Sequence, residues 1–332
     1  MVALSPKQSQ LHALAAEFSI ILPPPSTPLI SYFPKRDTPS TLIPITVEDN
    51  SSPALTKHID PVWFSGIPQA LGTNPRLVPI LKAPKQSFAA EAAVTSGSAD
   101  ALVESADKGG EGLWAGSSLS VVTGFQAANN ARITFLGGPE ILSNELAEKE
   151  GSGNAAFSRE VAAWTFQENR VIRIDHVEHH LVNGTEMKDK YTNNDDIVFS
   201  AYLSKWDPIK GDWAPCSCRR DIQLEFTMLD PFIRTSLPAV KGSPGKYSTT
   251  FRAPDRHGVF KFIVDYKRKG WSYLYSSTTV PVVPPRHDGY PRFLSAAWPY
   301  YAGAISTSVG FFVFSLVWLA SETKDKKKGK TE

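Results

Sequence analysis

Cysteine and methionine are scarce in this chain: two Cys and three Met among 332 residues. Two thiols close one bridge at most, which excludes a fold held by a disulfide framework. Cys216 and Cys218 are separated by a single residue. A bridge inside such a pair is expected to be strained, and both redox states stay open at this stage. A surplus of one charge is also missing. Lys and Arg number 35 against 33 Asp and Glu, and without the five lysines and three acids after residue 320 the body holds 30 of each. That balance argues against a nucleic-acid groove and against a field that steers charged substrates. Catalytic signatures are absent as well: no G-x-S-x-G, no P-loop and no Rossmann glycine motif occurs. The first 25 residues lack a basic start and a long apolar run, and Pro23 to Pro25 end them. They do not form a signal peptide. They show no opening strand pattern either, so a chain whose true start is missing is expected.

Toward the other end it is charge that disappears. No charged residue lies between Arg292 and Glu322, and the apolar part covers residues 296–320. That exceeds the roughly 20 residues that cross a bilayer. Trp298, Tyr300 and Tyr301 stand at one end and Trp318 at the other, as in interfacial aromatic belts. A transmembrane helix is expected over residues 297–320, with a stiff Pro-rich stalk over 285–296 and a basic tail over 321–332. Lys324, Lys326, Lys327, Lys328 and Lys330 follow the helix, whereas only Arg286 and Arg292 precede it. The positive-inside rule then puts the tail in the cytosol and the body across the membrane. Ala302, Ser306 and Gly310 recur every four residues, and Gly303 and Thr307 widen the same face. Small residues let helix backbones approach in lipid, so this is a candidate docking face; the plainer reading is ordinary transmembrane composition. Lys328 and Lys330 stand five and three residues from the carboxyl end, a spacing that suits a retrieval address of the endoplasmic reticulum. The plainer reading there is a solvated tail meeting anionic lipid.

The body divides by pattern. Short strand-like segments occur at Leu42 to Ile45, Val62 to Phe64 and Leu77 to Leu81. Residues 83–116 turn rich in Ala, Ser, Gly and acid and read as a long mobile loop. Two strands, Ser118 to Gly124 and Ala131 to Leu136, flank an Asn-rich turn. A helix follows in "SREVAAWTFQE", with Ser158 as its expected N-cap. Strands followed by a helix point to an α/β layer over residues 1–168. From residue 170 to 284 the period becomes two. Six short strands broken by Asn-Gly, Pro and Gly turns point to an antiparallel β-sandwich without helices. The fold class expected is therefore α+β, multi-domain, with one transmembrane helix.

Four constellations carry chemistry on paper. His176-Val177-Glu178 with Pro215-Cys216-Ser217-Cys218 resembles a zinc-deaminase signature. The cysteine spacing is one residue short, however, and His176 lies in an alternating segment rather than opening a helix. His179 and His180 are strand neighbours and so point to opposite faces; a polar strand end is the simpler reading. "TNNDDI" lacks the glycine and terminal Glu of a calcium loop and reads as a turn. Asn183-Gly184-Thr185 and Asn50-Ser51-Ser52 are glycosylation acceptor triplets, and Asn-Gly favours an exposed hairpin tip. No catalytic, cofactor or metal set converges, and no cofactor is expected.

Longer stretches carry a resemblance. "NNARITF", "WTFQE", "LEFTMLDPFIRT", "GKYSTTFRAPDRHGVFKFIVDYKRKG" and "SSTTVPVVPPRHDGYPRFLSAAWPYYAGA" are together similar to the oligosaccharyltransferase 48 kDa subunit family. The resemblance implies a longer parent with a signal peptide. It implies that residues 1–168 are part of a Rossmann-like or flavodoxin-like α/β domain. It implies a non-catalytic subunit in the endoplasmic-reticulum membrane, body in the lumen. Its implied partners are the catalytic multipass subunit, a ribophorin II-like subunit and the small defender-against-cell-death subunit. Cys216, Cys218 and the Ala/Ser-rich loop depart from that pattern. The competing readings are a lone single-pass lumenal receptor or chaperone and an independent hydrolase or deaminase.

Overall fold

The computed structural model of the chain describes residues 1–7, 10–33, 39–47, 52–55, 58–90, 114–289 and 293–321. In the first half the described elements are β1 (Val2–Ala3), α1 (Gln10–Glu17), β2 (Ile20–Ile21), β3 (Leu29–Ser31), β4 (Ile43–Ile45), β5 (Val62–Phe64) and β6 (Ala70–Leu71). They continue with β7 (Leu77–Lys82), β8 (Ser87–Ala89), β9 (Ser120–Gln126), β10 (Arg132–Leu136), α2 (Asn144–Ala147) and α3 (Asn154–Thr165). The main sheet runs β1-β10-β9-β7, and β2-β6, β3-β8 and β4-β5 form small ladders beside it. β1 pairs parallel with β10, whereas β9 is antiparallel to both neighbours. β9 lies between two strands, and Ser120 to Gly124 are buried on both of its faces. A strand of this kind reads as a continuous apolar or small run rather than an alternation.

Three expectations need correction here. The first residues do supply a strand: Val2 and Ala3 align with Phe135 and Leu136, and Leu4 is fully buried. Two residues are too few for a period to show. α3 starts four positions before Ser158, which lies inside the helix and donates to the Ile141 carbonyl. What sets the start is Asn154. Its amide side chain pairs with both main-chain groups of Trp63, at 2.8 and 2.9 Å, and donates to the Ile141 carbonyl at 3.0 Å. A side chain thus closes the edge of β5 and opens the helix, a contact across 91 positions that no local cap rule sees. Finally, the segment read as a loop from residue 83 contains β8, paired with β3. Residues 91–113 of that segment lie outside the described ones.

The second half holds β11 (Ile172–Leu181), β12 (Tyr191–Thr192), β13 (Asp196–Asp207), β14 (Asp212–Pro215), β15 (Gln223–Thr227), β16 (Pro231–Ser236), β17 (Lys246–Arg252), β18 (Gly258–Tyr266) and β19 (Leu274–Val283). Two antiparallel sheets form. In one, β13 carries β11 on one edge and β14 and β17 along the other; the second runs β12-β19-β18-β15-β16. Phe260, Phe262, Val264 and Tyr266 of β18 face inward, while Lys261 and Asp265 face out. This is the pleat period of two. The inward residues meet Phe199, Ala201 and Leu203 of β13 in one shared core. β12, β14 and β16 were not anticipated. β16 opens on Pro231 at a sheet edge, the first position of a strand where proline is tolerated.

Residues 1–282 form one unit and residues 283–332 another. Among the described residues of the second unit the long helix is α4 (Trp298–Ala320), of 23 residues. At 1.5 Å per residue it is about 35 Å long, enough for a hydrocarbon core of about 30 Å. Among the described residues none of its side chains is buried, and its length and apolarity make α4 a candidate membrane span.

Candidate functional site

The recognisable motifs of the two halves meet at one seam. The β9–β10 turn carries Asn130 in a left-handed conformation, φ 67°. Its side chain accepts from the Tyr273 N–H at 2.6 Å and donates to the Tyr273 carbonyl at 3.2 Å, so it pairs with that residue as a neighbouring strand would. The Gln126 amide donates to the Trp271 carbonyl at 2.7 Å. Trp164, fully buried on α3, donates its indole N–H to the Gly270 carbonyl at 2.9 Å. Gly270 has φ 84°, and a Cβ there would stand 2.1 Å from the Pro53 carbonyl. Only glycine fits. Gly124 has the same role against the Trp164 ring, which a Cβ would meet at 2.6 Å.

Arginines close the seam. Arg132 is buried and donates to the carbonyls of Trp164, Asn169 and Arg170 at 2.9, 2.8 and 3.2 Å. These lie at and just past the C-terminal end of α3, where free carbonyls and the helix dipole favour a cation. Burial, then the like charge of Arg170, pull the Arg132 pKa down to about 10. Arg170 donates to the Leu55 carbonyl and lies 5.3 Å over the Trp271 ring. Arg219 lies 4.9 Å over the same ring and grips Asp221 through two bonds, at 2.8 and 3.1 Å. Burial alone would raise the Asp221 pKa, but the hydrogen bonds and charge of Arg219, with Arg268 at 2.9 Å, hold it below the usual carboxylate range. The terminal guanidinium nitrogens of Arg132 and Arg170 are engaged by main-chain carbonyls and Arg219 by a carboxylate, while Arg132 Nε and Arg170 Nε are buried without a hydrogen-bond partner among the described residues. The arrangement fixes shape.

The residues singled out from sequence are scattered. Ala302, Gly303, Ser306, Thr307 and Gly310 lie on α4. The hydroxyls of Ser306 and Thr307 donate to the Gly303 carbonyl at 2.9 and 2.8 Å. A Cβ added at Gly303 or Gly310 would meet nothing within 4 Å. Asn183 sits exposed in the turn after β11, beside exposed Thr185. Asn50, Lys328 and Lys330 lie outside the described residues. Cys216 and Cys218 are bonded to each other, with Cα atoms 5.1 Å apart. Among the described residues no three His, Cys, Asp or Glu side chains gather. "TNNDDI" forms a turn, with Thr192 N–H on the Asp195 carboxylate at 2.7 Å.

His179 departs from the polar-strand-end reading. It is 3% exposed, stacks on Phe262 at 4.9 Å and shares a 2.7 Å hydrogen bond between Nδ1 and the Tyr191 hydroxyl. Burial, then the charge of neighbouring His180, lower its pKa. The fold therefore holds His179 neutral. Its contribution to stability is complete above the ordinary histidine value of 6.5 and is lost as pH falls through the depressed folded value. Melting midpoints measured from neutral to mildly acid pH are expected to fall less steeply in His179→Gln than in the native chain. Equal slopes would remove His179 from the acid response.

Most residues of the seam fall inside segments that match a known family, Asn169 and Arg170 lying between the two matched segments. A model of the OST48 N-terminal domain matches residues 1–168, and a model of the OST48 middle domain matches residues 179–322. The dolichyl-diphosphooligosaccharide--protein glycosyltransferase 48 kDa subunit of Danio rerio is 40% identical over 228 residues, 64% of this chain and 49% of the relative. The identically named proteins of Arabidopsis thaliana and Caenorhabditis elegans are 33% and 35% identical, over 80% and 79% of this chain and 59% and 58% of their own lengths. The chain thus spans about half to three fifths of the length of these relatives. Asn130, Arg132 and Trp164 lie in the first matched segment, and Arg219, Trp271 and α4 in the second; the chain belongs to the OST48 family.

Proposed function

We propose that this chain is a non-catalytic structural subunit of oligosaccharyltransferase, the complex that moves a glycan from dolichyl diphosphate to Asn of Asn-x-Ser/Thr. The observation that carries this reading is α4, an apolar helix with no buried residue and a stripe of small ones, in a chain of the 48 kDa subunit family. A lone anchor needs only length and apolarity. A stripe that admits close backbone approach is useful to a helix with neighbours. The neighbours are the catalytic multipass subunit, a ribophorin II-like subunit and the small defender-against-cell-death subunit. Residues 1–168 are read as part of a Rossmann-like domain, supported by the parallel β1–β10 ladder and α3. Residues 170–284 are read as a β-sandwich, supported by two antiparallel sheets around one core. The body stands in the lumen of the endoplasmic reticulum, and residues 321–332, with Lys328 and Lys330, return the chain from the cytosol. Isolation in mild detergent with mass spectrometry of what accompanies the chain tests this. Those three partners are expected; a chain that migrates alone overturns it.

Orientation has its own test. Asn183 is exposed and lies within an acceptor triplet, so a lumenal body carries a glycan there. Asn183→Gln is expected to remove one glycosidase-sensitive gel shift while changing stability by no more than about 0.5 kcal/mol. An unglycosylated Asn183 in secretory membranes counts against a lumenal body.

A further inference from the structure

We propose that the Cys216–Cys218 disulfide is a thiol-exchange site rather than a structural brace, taking a thiolate as its substrate. The bond spans two positions, so it removes little freedom from the unfolded chain. It lies in the crossing from β14 to β15, which belong to different sheets. The loop is held without it. The Cys216 N–H donates to the Leu203 carbonyl at 3.0 Å, and the Gly245 N–H donates to the Ser217 hydroxyl at 3.0 Å. The Arg219 N–H donates to the Tyr247 hydroxyl, which donates back to the Arg219 carbonyl, both at 3.0 Å. Opening the sulfur bridge therefore leaves both cysteines in place to close again. The two cysteines differ in exposure: Cys216 is 8% exposed, whereas Cys218 is an exposed residue. The side chain of Arg219 is held by Asp221, whereas exposed Arg220 stands two positions after Cys218, and a cation near a thiol favours its thiolate form.

The chemistry runs in two displacements. A substrate thiolate attacks the Cys218 sulfur; a bond forms between those sulfurs, the Cys216–Cys218 bond breaks, and the electron pair leaves on Cys216, which takes a proton. A second substrate thiolate then attacks the substrate sulfur of the mixed disulfide and releases Cys218 as thiolate, which takes a proton. The substrate dithiol loses two electrons and the protein disulfide gains them. A disulfide such as oxidised glutathione reverses the change. Glutathione and an exposed cysteine pair of another polypeptide present the same reacting group.

The full-length chain in detergent is exposed to millimolar reduced glutathione, or to a peptide with two free cysteines, then alkylated and read by mass spectrometry. Reduction of Cys216–Cys218 in the folded chain, with little change in melting midpoint, is expected. Oxidation of the peptide points to a polypeptide substrate, and reaction with glutathione alone to a small thiol; each supports exchange. With oxidised glutathione, Cys218 in Cys216→Ser is expected to form a mixed disulfide about tenfold faster than Cys216 in Cys218→Ser. A bond that resists both thiols until the chain unfolds, or equal rates in the two variants, overturns the proposal.

Discussion

Trp164→Ala is expected to loosen the joint between the two halves of the body and lower its melting midpoint by about 10 °C, on the usual scaling for a large domain. The side chain is fully buried, and truncating a buried tryptophan costs about 3–5 kcal/mol. The loss has a second part. The indole N–H serves the Gly270 carbonyl, which would be left without that donor at a further cost of about 1–3 kcal/mol if no water enters. Arg132 also lies 4.9 Å over the ring, so a buried cation would face a void. Against a typical total of about 5–15 kcal/mol, such a loss leaves little margin. Trp164→Phe keeps a ring against Gly124 but not the donor, and a drop of about half the size is expected. Phe166 is 67% exposed two positions on, and Phe166→Ala is expected to stay within about 0.5 kcal/mol of the native chain. Limited proteolysis reads the joint directly. The link over residues 166–171 should be cut faster in Trp164→Ala than in Phe166→Ala, and equal rates would mean that the seam does not depend on this side chain.

Why the seam went unread while its residues were in view is a matter of range. "NNARITF", "WTFQE" and "KRKGWS" announce a turn, a helix end and another turn. Each is local, and the bonds between them cross 31 to 106 positions. Periodicity reports which way a residue faces but not what it meets. It served well where burial alternates strictly, as at Phe260, Phe262 and Val264. It failed on β1 and β12, two residues each, and on β14 and β16, where exposed residues blur the alternation or a proline opens the strand. His179 shows the same limit. Its neighbours on β11 are polar, so it reads as a surface residue; Phe262 and Tyr191, which cover it, come from other strands. The α4 helix was legible, and helix geometry alone brings Ala302, Ser306 and Gly310 onto one face. A partner's surface is written in another chain.

Ser306→Leu with Gly310→Leu is therefore the change that separates a subunit from a solitary anchor. Both substitutions make α4 more apolar, so insertion into the bilayer is preserved or strengthened. Neither disturbs the chain itself: among the described residues an added Cβ at Gly310 meets nothing within 4 Å, and Ser306 bonds back to the Gly303 carbonyl at 2.9 Å. Any loss must then be a loss of partners. Close contacts between helices in lipid are each worth on the order of 1 kcal/mol. Removing two weakens association on the order of thirtyfold, and the co-isolated subunits should fall accordingly while the body's melting midpoint stays where it was. Ser308→Leu supplies the comparison. Ser308 also bonds within its own helix, to the Ala304 carbonyl at 2.8 Å, but it lies on the opposite face. It gains the same hydrocarbon and is expected to keep its partners. If all three leucines leave co-isolation untouched, the stripe is mere composition, and the body or tail must hold the complex; if Ser308→Leu alone disrupts it, the docking face lies on the other side of α4.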